Sequence, residues 1–381
     1  MSDLSAIAPR VLLMARELHH GGCERQLTEV ALALDRERFE VHVGAFRVEG
    51  LRADELRSAG VPLVSVPVKS YWQPGALAAL YKLGSYIRAH RIRLVHAFDV
   101  PLTVAAMPVV RLLSPAIALA SQRSHLDLIS KRERRLALFS ERIAHGVVVN
   151  CEYIRRHLVE DGNIPPERIH LCRNGINLNR FRREPGAARP AALPPGALVI
   201  GALCVLRPEK GLTTLVDAFA LVRGLAPSLR LLIVGSGPML PELRRRAGER
   251  GVLDACVFEP STDRVPQWLR SIDVFVLPSL TEALSNSLME AMACGCCCAA
   301  SRVGGNPELI EDGVRGLLFE AGDSADLARA LRELILNPDL RRRLAEAGHD
   351  FLHANFSIAA SARRMEEIYT GLLAGRPFQF Q

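Results

Sequence analysis

The sequence predicts an α/β protein built from two doubly wound, Rossmann-like domains, and three observations carry that prediction. The chain has 381 residues, 49% of them hydrophobic, which exceeds one ordinary domain and suits two of about 190. Short apolar runs alternate with stretches of helical spacing, the pattern of repeated βαβ units around parallel sheets. The alternation stops at R-E-P-G-A-A-R-P-A-A-L-P-P-G over 183–196, which has no periodicity, and then restarts. The expected division is 1–183, a linker at 184–196, a second domain over 197–357 and a terminal segment over 358–381.

In the first half, a strand at 10–14 runs into H-H-G-G-C-E-R-Q-L and a helix that continues to Ala33. Strand, glycine turn and helix place the backbone N–H groups of Gly21 and Gly22 where a phosphate or sugar can approach without a Cβ in the way. His19 and His20 read as polar loop residues, because no third ligand follows at helical spacing. Strands are expected at 41–46, 63–67 and 94–98, with helices at 52–59 and 102–110. The next strand, 118–125, ends in Q-R-S-H and so offers Arg123 and His125 to a ligand. K-R-E-R-R opens a helix whose candidate apolar positions are Leu136, Leu138, Phe139 and Ile143. Its charges are either a solvated face or a surface for an anionic membrane or acceptor. Nucleic acid is disfavoured, since no aromatics interleave at stacking spacing. A strand at 146–151, a helix from Glu152 and the segment R-N-G-I-N, containing Asn174, close this half.

The second half restarts with a strand at 198–203, followed by R-P-E-K-G. Arg207 and Lys210, three apart before a helix, can close on a diphosphate, the arginine as a planar donor and the lysine as a point charge. The run at 231–238 ends in G-S-G-P, where Gly235 and Ser236 form a tight turn. It lacks the third glycine of a dinucleotide fingerprint. Val274–Leu277 reads as a buried strand, with a helix capped by Ser285 or Asn286 after it. Strand 296–301 and Gly304-Gly305 follow. Two helical positions eight apart are separated by ~12 Å of rise and point ~80° apart, so Glu282 and Glu290 make a poor carboxylate dyad. With Glu282 on the loop and Glu290 one turn into the helix, they can touch two parts of one elongated ligand. The helix-start groups between them, Ala283, Leu284, Ser285, Asn286 and Ser287, offer N–H donors to a phosphate. Cys294, Cys296, Cys297 and Cys298 lack a second pair at zinc spacing and read as buried strand cysteines.

Composition narrows the rest. Residues 1–190 carry 28 Lys and Arg against 19 Asp and Glu, and residues 191–381 carry 20 against 22, giving the net +7. The basic first half is thus expected to meet an anionic partner. No apolar run approaches the ~20 residues that cross a bilayer. Charges at Arg10, Arg16, Glu17, Glu24 and Arg25 break any signal-peptide pattern. A cytoplasmic chain is expected, with a peripheral position at the inner face of the membrane left open. Nine irregularly spaced cysteines imply reduced thiols.

E-A-L-S-N-S-L-M-E-A-M-A-C-G, followed by A-S-R-V-G-G-N-P-E-L-I-E, closely resembles the donor-binding segment of glycosyltransferase family 4, with Glu282 and Glu290 as its E-x7-E motif. The resemblance covers the whole chain, strongest over 201–320 and loosest over 40–120. G-G-C-E-R resembles the family's amino-terminal glycine loop, R-P-E-K-G its diphosphate clamp, V-G-S-G-P its nucleotide-side turn, and N-G-I-N…F the close of its first domain. V-F-E-P departs from the family's F-x-G at Pro260, beside the base. The resemblance implies a GT-B fold of two domains facing a cleft, with the terminal helix crossing back to the first domain. It also implies retaining transfer of a hexose or N-acetylhexosamine from a nucleoside-diphosphate sugar, UDP favoured over GDP, to a saccharide or lipid-linked acceptor in polysaccharide or glycolipid assembly. Arg207 and Lys210 would hold the diphosphate, Glu282 the sugar hydroxyls and Glu290 the ribose. His125 or Arg123 would serve the catalytic loop. No cofactor beyond the nucleotide-sugar co-substrate is expected, and no metal, since no Asp-x-Asp pair is present to hold one. A nucleotide-sugar epimerase on the same fold and a non-catalytic nucleotide-sugar-binding partner subunit are the alternatives.

Overall fold

All strand pairings run parallel, in two separate sheets. The computed structural model describes residues 8–375 apart from 20, 69–73, 185, 187 and 188, so His20 and part of the expected linker lie outside the described residues. The chain divides into two units, Met1–Gly175 with Ile358–Gln381, and Ile176–Ser357.

The first unit runs β1 (Arg10–Ala15), α1 (Gly22–Ala33), β2 (Glu40–Ala45), α2 (Leu51–Ser58), β3 (Leu63–Ser65), α3 (Pro74–Ala89) and β4 (Leu94–Ala97). It continues with α4 (Val100–Leu113), β5 (Ile117–Gln122), α5 (Lys131–Ile143), β6 (Gly146–Val149), α6 (Glu152–Glu160) and β7 (Ile169–Leu171). The strand order is β3-β2-β1-β4-β5-β6-β7. The order therefore reverses between β1 and β4, and in open parallel sheets ligands bind at the carboxyl ends beside such a switch point. Asp99 fixes this point. Its carboxylate accepts the Leu102 N–H at 2.9 Å as the cap of α4 and the Arg16 N–H at 2.5 Å from the loop after β1. Burial pushes the Asp99 carboxyl up to about 6, against the two N–H bonds that favour its charged form.

The second unit runs β8 (Leu198–Leu203), α7 (Leu212–Val222), β9 (Leu229–Val234), α8 (Leu240–Glu249), β10 (Cys256–Glu259), α9 (Val265–Leu269) and β11 (Val274–Leu277). It ends with α10 (Asn286–Ala293), β12 (Cys297–Ser301), α11 (Asn306–Leu309), β13 (Leu317–Phe319), α12 (Ser324–Leu336) and α13 (Pro338–Asn355). Its order, β10-β9-β8-β11-β12-β13, repeats the same winding, with the switch point between β8 and β11. The wholly buried V-F-V-L of β11 is the continuous apolar run that a sheet covered on both faces requires. Cys294, Cys296, Cys297 and Cys298 are buried thiols in and before β12. Burial pushes Cys294 and Cys297 up to about 12.

A last helix, α14 (Ile358–Leu373), belongs to the first unit. His96 on β4 is fully buried, with ring nitrogens 2.7 Å from the Tyr369 hydroxyl of α14 and 2.7 Å from the Ser121 hydroxyl of β5. Arg38 pairs with Glu366 at 2.8 Å on the same helix.

Two expectations need correction, and one helix was not foreseen. The boundary falls between Gly175 and Ile176, ahead of 183–196. Ile176 donates its N–H to Phe356 at 2.8 Å, Arg180 reaches the Asp263 carbonyl and Arg183 the Ala345 carbonyl, so 176–184 is bonded into the second unit. Helix α3 was not anticipated. On α5 the buried side chains are Ala137, Ser140 and Glu141, while Phe139 is 57% exposed. Small residues let α5 lie close on α4, so spacing alone picked the wrong face.

Glu141 is fully buried, and neither carboxylate oxygen has a hydrogen-bond partner. Burial pushes its carboxyl from 4.5 up to about 8. The folded state therefore holds this proton more tightly than the unfolded chain. Stability is full below pH 4.5 and falls as pH rises toward 8, by on the order of 3 kcal/mol at pH 7. Glu141→Gln should flatten this part of the denaturation profile and raise the melting temperature more at pH 8 than at pH 5. An unchanged pH slope would contradict it.

Candidate functional site

In the second unit, four loops meet at the carboxyl ends of β8, β9, β11 and β12. The loop after β8 carries Arg207 and Lys210, and Gly211 follows with φ +60°. A Cβ at Gly211 would strike the Pro278 carbonyl oxygen of the loop after β11, so glycine is what allows these backbones to meet. Leu280 donates its N–H to the Glu209 carbonyl at 2.8 Å and Gly305 to the Ala283 carbonyl at 2.8 Å. Gly304, with φ +56°, sits against the Glu282 carbonyl. On the other side, Leu206 donates to the Ser236 carbonyl at 3.0 Å, and the Ser236 hydroxyl accepts the Ser261 N–H at 3.1 Å. Gly235 packs against the Cys204 carbonyl.

These contacts bring Lys210 and Glu282 together across the switch point. The ammonium donates to Glu282 Oε1 at 2.5 Å, and the Ser279 hydroxyl lies 3.5 Å from the same oxygen. Burial alone would lower the Lys210 pKa, but the charge and hydrogen bond of Glu282 outweigh it and hold it above its usual value. Arg207 does not join the pair. It is 62% exposed and lies 3.9 Å from the Glu209 carboxylate. Ser285 is the cap of α10, accepting the Leu288 N–H at 3.4 Å, with the Ser287 hydroxyl 3.2 Å from its own. Ala283 and Leu284 are buried, Asn286 opens the helix, and Glu290 is buried on its second turn.

In the first unit, Gly21 caps α1 and Gly22 is its first residue. A Cβ at Gly21 would strike the Glu24 carboxylate, so that side chain folds back over the glycine. The strand β5 ends at Gln122, leaving Arg123 and His125 on the following loop with different surroundings. Arg123 donates to Asn174 Oδ1 at 2.8 Å and lies 4.7 Å over the Phe98 ring, with its Nε and second terminal nitrogen buried and without a hydrogen-bond partner. Burial lowers its pKa below the usual arginine range. His125 is buried beside Tyr153 and His157.

Several site residues escaped sequence reasoning. Gln26 brackets Gly175, donating to its carbonyl at 2.8 Å and accepting its N–H at 3.1 Å. Buried Asn306 donates to the Ser301 carbonyl at 3.0 Å, while the Ser301 hydroxyl donates to the Ser279 carbonyl at 2.6 Å, bracing the Glu282 loop. Asp99 carried a readable signal, an acidic cap just after a strand with a proline in the next turn. Among the described residues no group of three or more His, Cys, Asp or Glu is placed to hold a metal ion, and no helix is long and apolar enough to cross a membrane.

The model of "Glycosyl transferases group 1" matches residues 188–351, and that of "Glycosyltransferase Family 4" matches residues 20–180. A D-inositol 3-phosphate glycosyltransferase of Thermobispora bispora is 30% identical over 96% of this chain and 83% of its own. A protein of the same name from Streptomyces coelicolor is 31% identical over 63% of this chain, and the match spans only 57% of that relative. Among solved structures, Anabaena Alr3699/HepE in complex with UDP and glucose superposes with a TM-score of 0.83, at 21% identity over 95% of this chain and 100% of that one. WaaG, a glycosyltransferase involved in lipopolysaccharide biosynthesis, superposes with a TM-score of 0.74, at 18% identity over 95% and 100%. Two Rossmann-like domains with this likeness define a glycosyltransferase of the GT-B fold. The chain belongs to glycosyltransferase family 4.

Proposed function

We propose that the enzyme moves a hexose or N-acetylhexosamine from a nucleoside-diphosphate sugar, in first place a UDP-sugar, to an acceptor hydroxyl with the anomeric configuration retained. The observation that carries this is the Lys210–Glu282 pair at the switch point of the second sheet. It offers one cation to a diphosphate and one carboxylate to sugar hydroxyls within a single contact. Arg207, exposed on the same loop, adds a planar donor, and the N-terminus of α10 adds N–H groups. Glu290 is assigned to the ribose and the Gly235–Ser236 turn to the nucleotide side. Gly21, Gly22, Arg123, His125 and Asn174 are assigned to substrate in the first unit. The UDP complex of the Anabaena neighbour supports UDP, and the name of the Thermobispora relative, a D-inositol 3-phosphate glycosyltransferase, makes D-inositol 3-phosphate a first acceptor to try.

In the reaction, the bond between the anomeric carbon and the diphosphate oxygen breaks. The acceptor oxygen bonds to that carbon on the same face, and its proton passes to the departing diphosphate. Negative charge grows on the leaving group, where Lys210 and Arg207 stabilise it. Losing one such preorganised donor costs ~10²–10³ in rate.

The basic helix α5 supports an anionic membrane surface as a further partner. Lys131, Arg132 and Arg135 are exposed, as are the apolar Phe139 and, on neighbouring elements, Leu112, Leu113 and Leu128. Basic side chains with apolar neighbours suit a headgroup layer.

Two outcomes are expected. With UDP-glucose and D-inositol 3-phosphate or lipid-linked sugars as probes, Lys210→Ala should lower the rate of UDP release by about 10²–10³, and excess chelator should leave the wild-type rate unchanged. Activity abolished by chelator and restored by magnesium would contradict the basic clamp. In vesicle sedimentation, Lys131, Arg132 and Arg135 changed together to Gln should weaken binding to anionic vesicles by about 100-fold, at ~1 kcal/mol per charge, without changing UDP affinity. Equal binding would return the helix to a plain solvated face.

A further inference from the structure

We infer that His157, held by Asp161, is a positioning residue that sets the orientation of the His125 imidazole. The inference rests on the placement of His125 at the substrate and adds what fixes that side chain.

The backbone at His125 is defined by the short turn Leu126–Leu128, whose Leu128 N–H is donated to the His125 carbonyl at 3.3 Å. That bond leaves the two side-chain torsions of the imidazole to be set by its surroundings. One side of those surroundings is a face of α6. Tyr153, His157 and Asp161 follow one another at four-residue spacing, which places them in a row along a helix. The His157 ring lies 4.7 Å from the His125 ring, centroid to centroid, at an interplanar angle of 40°, and the Tyr153 ring lies at 5.7 Å and 36°. His125 is only 7% exposed, and this shelf forms one side of its pocket.

The shelf is itself fixed. His157 Nδ1 lies 2.6 Å from Asp161 Oδ2, and the His157 carbonyl accepts the N–H groups of Asp161 and Gly162 at the end of α6. Flanking that row on the helix, Ile154 and Leu158 are buried in the first unit. A carboxylate on one ring nitrogen sets the plane and the tautomer of an imidazole. His157 therefore presents a wall of defined orientation to His125. Plain packing would require a ring at position 157 but no carboxylate anchor at 161, and the structure supplies both.

The test is a double-mutant cycle with UDP-glucose and D-inositol 3-phosphate as probes, read as UDP release. His157→Ala should lower kcat by about 10-fold or more while KM for UDP-glucose stays within about 2-fold, since an orientation is lost and ground-state binding is kept. His157→Phe should recover most of that loss by restoring the wall, and Asp161→Ala should fall between the two. If His157 acts through His125, the double variant His125→Ala/His157→Ala should be no slower than His125→Ala alone. Losses that multiply in the double variant, or a His157→Ala variant with wild-type kcat beside a crippled His125→Ala, would overturn the inference. A His125→Ala variant with wild-type kcat would overturn the placement of His125 at the substrate and the inference with it. Melting temperatures of all five variants, taken beside the rates, identify any loss that comes from unfolding.

Discussion

A lysine ammonium and a glutamate carboxylate, drawn to 2.5 Å at the topological switch point of the second sheet, are the interaction on which the candidate donor site depends. Both groups are largely buried, at 22% and 13% side-chain exposure, so each requires the other. Removing one partner of such a pair leaves an uncompensated charge, a cost of several kcal/mol. The pair exists because two loops from non-adjacent segments can touch. Gly211 lets the first loop reach the Pro278 carbonyl, and Gly304 lets a third loop press on the Glu282 carbonyl from behind. Ser279, Ser301 and Asn306 carry the bracing inward to β12. The pair is thus held from three sides. On the proposed function, a diphosphate takes over the lysine while sugar hydroxyls take over the glutamate.

Both halves of the molecule repeat one solution, with the chemistry at the reversal of strand order. In the first unit the equivalent place is tied by Asp99, which bonds the loop after β1 to the start of α4. There the anchor is a carboxylate on backbone N–H groups, and the ionic contact of the second unit has no counterpart at Asp99. Around it stand buried polar groups held by specific partners, Arg123 on Asn174 and His96 between Tyr369 and Ser121. Tyr369 comes from the last helix, so the first unit's polar core includes the chain's far end.

What the sequence revealed follows from which forces act locally. Strands such as Leu198–Leu203 and Val274–Leu277 were legible to the residue, because a strand buried on both faces must be apolar throughout. The Ser285 cap and the loop positions of Glu282 and Lys210 were legible for the same reason, since caps and tight turns restrict residue type within a few positions. Resemblance over the E-x7-E segment is what suggested the chemistry proposed for those positions. Helix α3 was missed, in the part of the chain where the resemblance is loosest. The buried face of α5 was misassigned because Ala137 is small and Ser140 and Glu141 are polar by type, and only the approach of α4 makes that face the inner one. Gln26 on Gly175 and His157 on His125 join residues far apart in the chain, and no local pattern announces such pairs. The boundary at Gly175 was placed late because the Pro- and Gly-rich stretch marks irregular chain, whereas the division is set by which unit bonds residues 176–184.

The most direct test of this account is calorimetric titration of UDP into the wild-type enzyme and into Glu282→Gln. On the proposed function, Glu282 competes for Lys210 and repels an incoming diphosphate. Removing its charge should therefore tighten UDP binding, by about 3–10-fold, even though sugar transfer is impaired. UDP binding to Glu282→Gln as weak as binding to Lys210→Ala would show that the carboxylate supports the diphosphate site instead of competing for its cation, and would contradict the central claim.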